Sequence, residues 1–108
     1  MTIRVALAAA AILAASSSAH AVDVVMRENA IGCPSQAMVG EANAILKSRG
    51  TVIASHWAKK RGCILFEIGD TVGIVRVDYA PPNSTTCVVG WDNEKCLWIP
   101  SGRTRSKR

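Results

Sequence analysis

Hydrophobic and polar positions alternate in the second half of the chain. Ile64, Phe66 and Ile68 are each separated by a single residue, and the turn-forming Gly69 follows them. Alternate residues of a strand face the same side of a sheet, so this spacing predicts a strand with one apolar face. Because alternation and turn residues continue, the stretch from Gly62 to Ile99 predicts a β-meander.

Two strands at the end of this stretch set the positions of two cysteines. We expect strands over Thr85 to Val89 and over Lys95 to Ile99, joined by the loop Gly90 to Asn93. This pairing would place Cys87 opposite Cys96. Directly opposed residues of a non-hydrogen-bonded antiparallel pair have Cα atoms roughly 4.5 Å apart, which is within reach of a disulfide.

The chain has four cysteines, so pairing Cys87 with Cys96 leaves Cys33 to pair with Cys63. An even number of cysteines in a small exported chain is typical of disulfides. A zinc site that also uses His56 is disfavoured, because no two ligands show the short separation usual in structural zinc sites. We therefore expect two structural disulfides and neither a metal nor a cofactor.

A helix precedes the meander. Its apolar positions recur at the three- and four-residue spacing of one helix face, and they are Met38, Val39, Ala42, Ile45 and Leu46. Pro34 suits the first helical position, and Gly50 can adopt the left-handed conformation that ends a helix. The pattern therefore predicts a helix from Pro34 to Arg49.

Residues 51–57 allow two interpretations. Thr51 could cap a second helix that ends at Gly62, but a run of β-branched residues starting at Thr51 favours a strand. The segment VDVV at residues 22–25 could form an edge strand. Together these elements predict an α+β fold, in which one N-terminal helix packs on an antiparallel β-meander of four to five strands stapled by two disulfides.

An export signal is predicted at the N-terminus. Arg4 precedes an apolar run from Val5 to Ala15, and the small residues of Ala19-His20-Ala21 suit a signal peptidase. We therefore predict a signal peptide over residues 1–21, a single domain over residues 22–102 and a periplasmic or secreted location. The run is shorter than the roughly 20 residues that a membrane-spanning helix needs, so no transmembrane segment is expected after cleavage.

The formal net charge of +5 is concentrated at the C-terminus. The cations there have no apolar neighbours to pack with, so residues 103–108 are predicted to be a disordered basic tail. Such a tail is a candidate for binding an anionic polymer or lipid surface, through Arg103, Arg105, Lys107 and Arg108. Aromatic residues are not interleaved with the basic ones, so specific nucleic-acid binding is not expected.

Trp91 lies in the predicted hairpin loop beside Asp92 and Asn93. An aromatic side chain at a loop tip either folds back on the sheet or contacts a partner.

The sequence has no nucleophile elbow or phosphate-binding loop, so we expect no catalytic centre. The favoured hypothesis is a non-enzymatic binding, inhibitor or accessory module that contacts an unidentified protein partner through the predicted hairpin loop. The alternatives are attachment to an anionic surface through the tail and a small hydrolase that uses His56 as its base.

Overall fold

The computed structural model of the protein describes residues 22–81, 83–90 and 95–107. One helix packs on a five-stranded antiparallel sheet, and a second sheet has two strands. The fold class is therefore confirmed. In chain order the elements are β1 (Val22–Met26), β2 (Ala30–Gly32), α1 (Gln36–Lys59), β3 (Ile64–Phe66), β4 (Thr71–Asp78), β5 (Thr85–Val89), β6 (Leu97–Pro100) and β7 (Thr104–Ser106).

The strands of the larger sheet lie in the order β6-β5-β4-β1-β7. The consecutive strands β4, β5 and β6 form the predicted meander, but β3 pairs with β2 in the smaller sheet instead of joining them. An isolated antiparallel bridge between Cys33 and Trp98 connects the two sheets. Strand β1 lies between β4 and β7, so it is not the edge strand that we expected.

The C-terminal residues include a strand. Val24, Val25 and Met26 of β1 lie opposite Ser106, Arg105 and Thr104 of β7. The prediction of a disordered tail is therefore wrong for residues 104–106. The hydrophobic pattern could not reveal this strand, because the strand pairs through backbone N–H and C=O groups. Every residue except proline carries both groups, so the side chains give no sign of the pairing.

Helix α1 starts at Gln36, two residues after the predicted start at Pro34, and continues past its predicted end. The Ser35 side chain caps it by accepting a hydrogen bond from Ala37 N at 3.2 Å. Gly50 (φ 85°, ψ 178°) interrupts the helix, which then resumes and runs to Lys59. Residues 51–57 are therefore helical, and the predicted strand is wrong. Within the described residues no helix is long and apolar enough to span a membrane.

Small side chains explain why the second half of α1 is helical. Ala54 and Ala58 are buried in a cluster with Ile31 and the cysteines Cys33 and Cys63. Residues four apart lie about 6 Å apart along one face of a helix but about 13 Å apart along a strand, so only the helix brings both alanines to the same disulfide. Packing of this kind overrides the modest β propensity of the preceding residues.

Both predicted disulfides form, Cys33–Cys63 and Cys87–Cys96. The predicted hairpin register is nevertheless wrong, because Cys87 lies opposite Trp98. The disulfide therefore joins diagonal positions, with a Cα–Cα distance of 5.3 Å for Cys87 and Cys96. That distance is as suitable for a disulfide as direct opposition, so the bond alone does not determine the register.

Apolar side chains form three clusters, and two of them fix α1 against the sheets. Phe66 and Val88 belong to the first cluster, which the strands build among themselves. The second cluster joins α1 to β2 and the Cys33–Cys63 disulfide. The third places Val39 of α1 against Cys87 and Trp98. As a result, the first half of α1 lies beside β5 and β6, where polar side chains line a groove.

Candidate functional site

A groove runs beside the first half of α1. Its first section encloses about 480 Å³ between the helix and the ends of β5 and β6, a volume within the range of ligand sites. Its lining residues are Gln36, Val39, Gly40, Asn43, Asn83, Ser84, Thr85, Pro100, Ser101 and Arg103. We call this section and the adjoining one described next the α1 groove.

The second section encloses about 530 Å³ and shares Asn43 and Arg103 with the first. Lys47 and Thr51 extend its helical wall, and Glu28 lies on the other side. The two sections adjoin at these shared residues, and their helical lining residues follow one face of α1. From Gln36 to Lys47 this face is about 16 Å long at about 1.5 Å per residue, enough for about five residues of extended chain.

Gln36 anchors the start of the groove. Its Nε2 donates hydrogen bonds to Asp78 Oδ2 at 2.7 Å and to Thr85 Oγ1 at 3.0 Å. The Gln36 amide, followed by the backbone N–H of Ala80, lowers the pKa of Asp78 below its ordinary value of 3.8. These bonds hold the first turn of α1 to the ends of β4 and β5 and keep the Asp78 carboxyl ionised.

Hydroxyl groups form the opposite wall. The Ser101 Oγ lies 2.7 Å from Ser84 Oγ and 2.8 Å from Thr86 Oγ1, which are hydrogen-bonding distances. The backbone N–H of Ser101 also donates to Ser84 O at 3.1 Å. A hydroxyl both donates and accepts, so this wall can pair with either group of a peptide backbone.

Asn43 lies in the shared part of the groove but has a structural role. Its Oδ1 accepts from Ile31 N at 2.9 Å, and its Nδ2 donates to Ile31 O at 3.0 Å and to Val39 O at 2.9 Å. The amide thus ties β2 to α1 and fixes the floor of the groove. Because its donors are already used, Asn43 contributes shape more than recognition.

Arg103 is the cation common to both sections. Its Nη1 donates to Asn29 O at 3.3 Å and lies 4.0 Å from a carboxylate oxygen of Glu28, and its side chain is 31% exposed. Its backbone O accepts from Arg27 N at 2.9 Å, which fixes the residue beside β1. Among the described residues, its Nε and other terminal nitrogen have no partner, so they can bind a group in the groove.

The structure separates the other predicted site residues from Arg103. Arg105 and Lys107 are exposed, and Arg105 Nη1 donates to Ser106 O at 3.4 Å. The four cysteines form disulfides and line neither section of the groove. The loop residues Trp91, Asp92 and Asn93, the basic residue Arg108 and the leader 1–21 lie outside the described residues.

His56 lies in a different place. Together with Ser55 and Glu67 it lines a shallow depression of about 290 Å³. Within the part of the chain that the structure describes, no hydrogen bond joins His56 to either residue. The hydrolase alternative therefore stays a prediction, and His56→Ala tests it in any assay that detects activity.

No group of three or more His, Cys, Asp or Glu side chains among the described residues could hold a metal ion.

The sequence hypothesis missed most of the α1 groove. Gln36, Gly40, Asn43 and Lys47 share the three- and four-residue spacing of one helix face, which was the one signal available. Ser101 and Ser84 lie in loops and Thr86 lies in β5, and the position of these residues opposite that face depends on tertiary packing. Comparison of the chain with protein-family models, with curated proteins and with solved structures finds no match.

Proposed function

We propose that the protein is a non-enzymatic binding module that acts on a protein partner in the periplasm or outside the cell, and that the α1 groove receives an extended segment of that partner. The observation that carries this proposal is the position of Arg103. Its guanidinium is held by a backbone carbonyl, its other nitrogens have no partner among the described residues, and the residue lines both sections of the groove.

The chemistry of the groove favours a segment that contains a carboxylate. A guanidinium binds a carboxylate through paired, charge-assisted hydrogen bonds, and partial burial strengthens them. Lys47 adds a second cation, whereas Glu28 is close enough to Arg103 to offset part of its charge. Hydroxyls on one wall can pair with backbone groups on either side of the acidic residue. We therefore expect an extended peptide with a central Asp or Glu.

A displayed library of random peptides tests this proposal. Selection should enrich sequences with one acidic position, and Arg103→Gln should weaken their binding by at least about tenfold, since a charge-assisted hydrogen bond contributes about 1.5–3 kcal/mol. Arg105→Gln, which removes the same charge from an exposed position, is the matched control and should bind normally. Equal binding by the two variants would overturn the proposal.

Filling the groove provides a second test. An added Cβ at Gly40 meets no atom within 4 Å, so Gly40→Leu should fold normally and block peptide binding. Glu41→Leu places the same side chain on the next helical residue, which is outside the groove lining, and should leave binding intact. The predicted contact at Trp91 remains part of the proposal, and Trp91→Ala should weaken binding of the whole partner.

Attachment to an anionic surface through the tail remains the alternative. Truncation after Gly102 is unsuitable as a test, because it would remove both Arg103 and the strand β7. Arg105→Gln combined with Lys107→Gln removes charge from exposed positions and keeps the backbone pairing. If the tail is an anchor, this double variant should lose salt-sensitive retention on an anionic surface.

A further inference from the structure

The outward face of the last two turns of α1 carries apolar side chains that the fold does not bury. Val52 and Ile53 are 71% and 49% exposed, whereas Ala54 and Ala58 are 0% and 1% exposed. The larger aliphatic side chains thus face away from the core, and the smallest face towards it. This is the reverse of the usual arrangement on an amphipathic helix.

Cations surround these two side chains. The segment from residue 47 to residue 61 contains no acidic residue and five basic ones, Lys47, Arg49, Lys59, Lys60 and Arg61. Among the described residues, the ion pairs are those of Arg27 and Arg103 with Glu28, so none involves this segment. Arg61 is engaged locally, with its guanidinium 4.3 Å from the Trp57 ring centroid.

Helical geometry places the apolar and basic side chains together. Val52, Ile53, His56, Lys59 and Lys60 fall within about a third of the helix circumference at about 3.6 residues per turn, and all are exposed. We call these five residues the α1 exit face. One carboxylate lies at its margin, since Glu67 lines a shallow depression with Val52 and His56. The face as a whole stays positively charged.

We propose that the α1 exit face binds the surface of an anionic lipid bilayer. Its lysines would contact the headgroups, and Val52 and Ile53 would enter the boundary between headgroups and acyl chains. A soluble polyanion would satisfy the lysines but would give the aliphatic side chains no apolar environment. This proposal goes beyond peptide binding in the α1 groove, and it uses none of the residues that line the groove.

Cosedimentation of the full chain with vesicles tests the proposal. The wild type should bind vesicles of equal parts phosphatidylglycerol and phosphatidylcholine, and should bind pure phosphatidylcholine vesicles much less. Lys59→Gln with Lys60→Gln should weaken binding about 30-fold, since each cation near such a surface contributes about 1 kcal/mol. Val52→Ser with Ile53→Ser should weaken it by at least about tenfold, since withdrawing only two methylene equivalents at about 0.8 kcal/mol each already gives that factor.

Two matched controls accompany these variants. Arg105→Gln with Lys107→Gln removes the same number of charges from the tail, and Tyr79→Ser removes a side chain that is 80% exposed elsewhere. Both should bind like the wild type. All variants carry the same N-terminus, so the apolar leader contributes equally to each, and unchanged thermal unfolding checks that they fold.

Three results would overturn the proposal. Vesicle binding unaffected by the Val52 and Ile53 substitutions would show that the apolar side chains do not enter the bilayer. An equal loss in the tail variant would show that only total charge matters. Binding of soluble heparin as tight as that of the vesicles would instead indicate a polyanion site.

Discussion

The backbone of Trp98 exchanges two hydrogen bonds with the backbone of Cys33. Cys33 N donates to Trp98 O at 3.0 Å, and Trp98 N donates to Cys33 O at 2.8 Å. On its other side Trp98 lies opposite Cys87 in the sheet. Because Cys33 is bonded to Cys63 and Cys87 to Cys96, a single tryptophan residue connects the two disulfide-linked parts of the fold.

The two disulfides should stabilise the protein unequally. Their sequence separations are 30 residues for Cys33–Cys63 and 9 residues for Cys87–Cys96. In the chain-entropy model, replacing the first pair by alanine should lower the free energy of unfolding by about 4 kcal/mol and replacing the second by about 3 kcal/mol. Urea denaturation of the two double variants measures the difference. The reverse order would contradict the prediction.

Gly50 should be intolerant of any side chain. Its backbone (φ 85°, ψ 178°) lies in a region that glycine alone adopts readily. Gly50→Ala should therefore reduce stability by about 1–3 kcal/mol. The control is Gly40→Ala, within the first half of α1 and with open space around the new methyl group, which should raise stability by about 0.5–1 kcal/mol. Similar unfolding midpoints for both variants would refute this account.

Gly32 allows β2 to approach the first apolar cluster closely. An added Cβ would lie 2.6 Å from Phe66 Cε2 and 3.1 Å from Leu97 Cβ. Gly32→Ala should therefore lower the free energy of unfolding by about 1–3 kcal/mol through overpacking. Combining it with Phe66→Leu, which removes the closest atom, should recover part of the loss. A double-mutant cycle by chemical denaturation tests this, and strict additivity would argue against the contact.

The hydrogen bond from Gln36 should control the titration of Asp78. The pKa of Asp78 is lowered in the folded protein, mainly by Gln36 and to the smallest extent by Arg76. Stability from this carboxylate is therefore present at neutral pH and is lost as the pH falls through the folded pKa. Gln36→Ala should raise the pKa of Asp78 towards its ordinary value more than Arg76→Gln does. An NMR titration that follows the carboxyl chemical shift of Asp78 measures its pKa in each variant. An equal change of that pKa in the two variants would show that the ranking is wrong.

Side-chain periodicity predicted the parts of the fold whose burial follows from local sequence. The stripe from Met38 to Leu46 predicted the first half of α1, and the β-rich stretch from Gly62 to Ile99 predicted the meander that β4, β5 and β6 form. The hairpin between β5 and β6 indicated the pair Cys87–Cys96, and the total of four cysteines then left Cys33 to pair with Cys63. These features depend on side chains that are close in sequence or few in number.

Other features depend on contacts that a local pattern does not contain. Strand β7 has no apolar side chain, and β2 has three residues, too few to show a period. Residues 51–57 are helical because Ala54 and Ala58 pack against the disulfide Cys33–Cys63. The α1 groove likewise requires Gln36 and Arg103, which are far apart in sequence, to meet at one surface.

The pairing of β1 with β7 also imposes an order on folding. Val24 and Ser106 lie opposite each other, so neighbours in the sheet come from the two ends of the domain. As the chain emerges from the ribosome, β1 has no larger-sheet partner until β4 follows, and one of its edges stays open until β7 appears. Contacts of such high sequence separation slow folding. The complete larger sheet is therefore reached only once β7 is present.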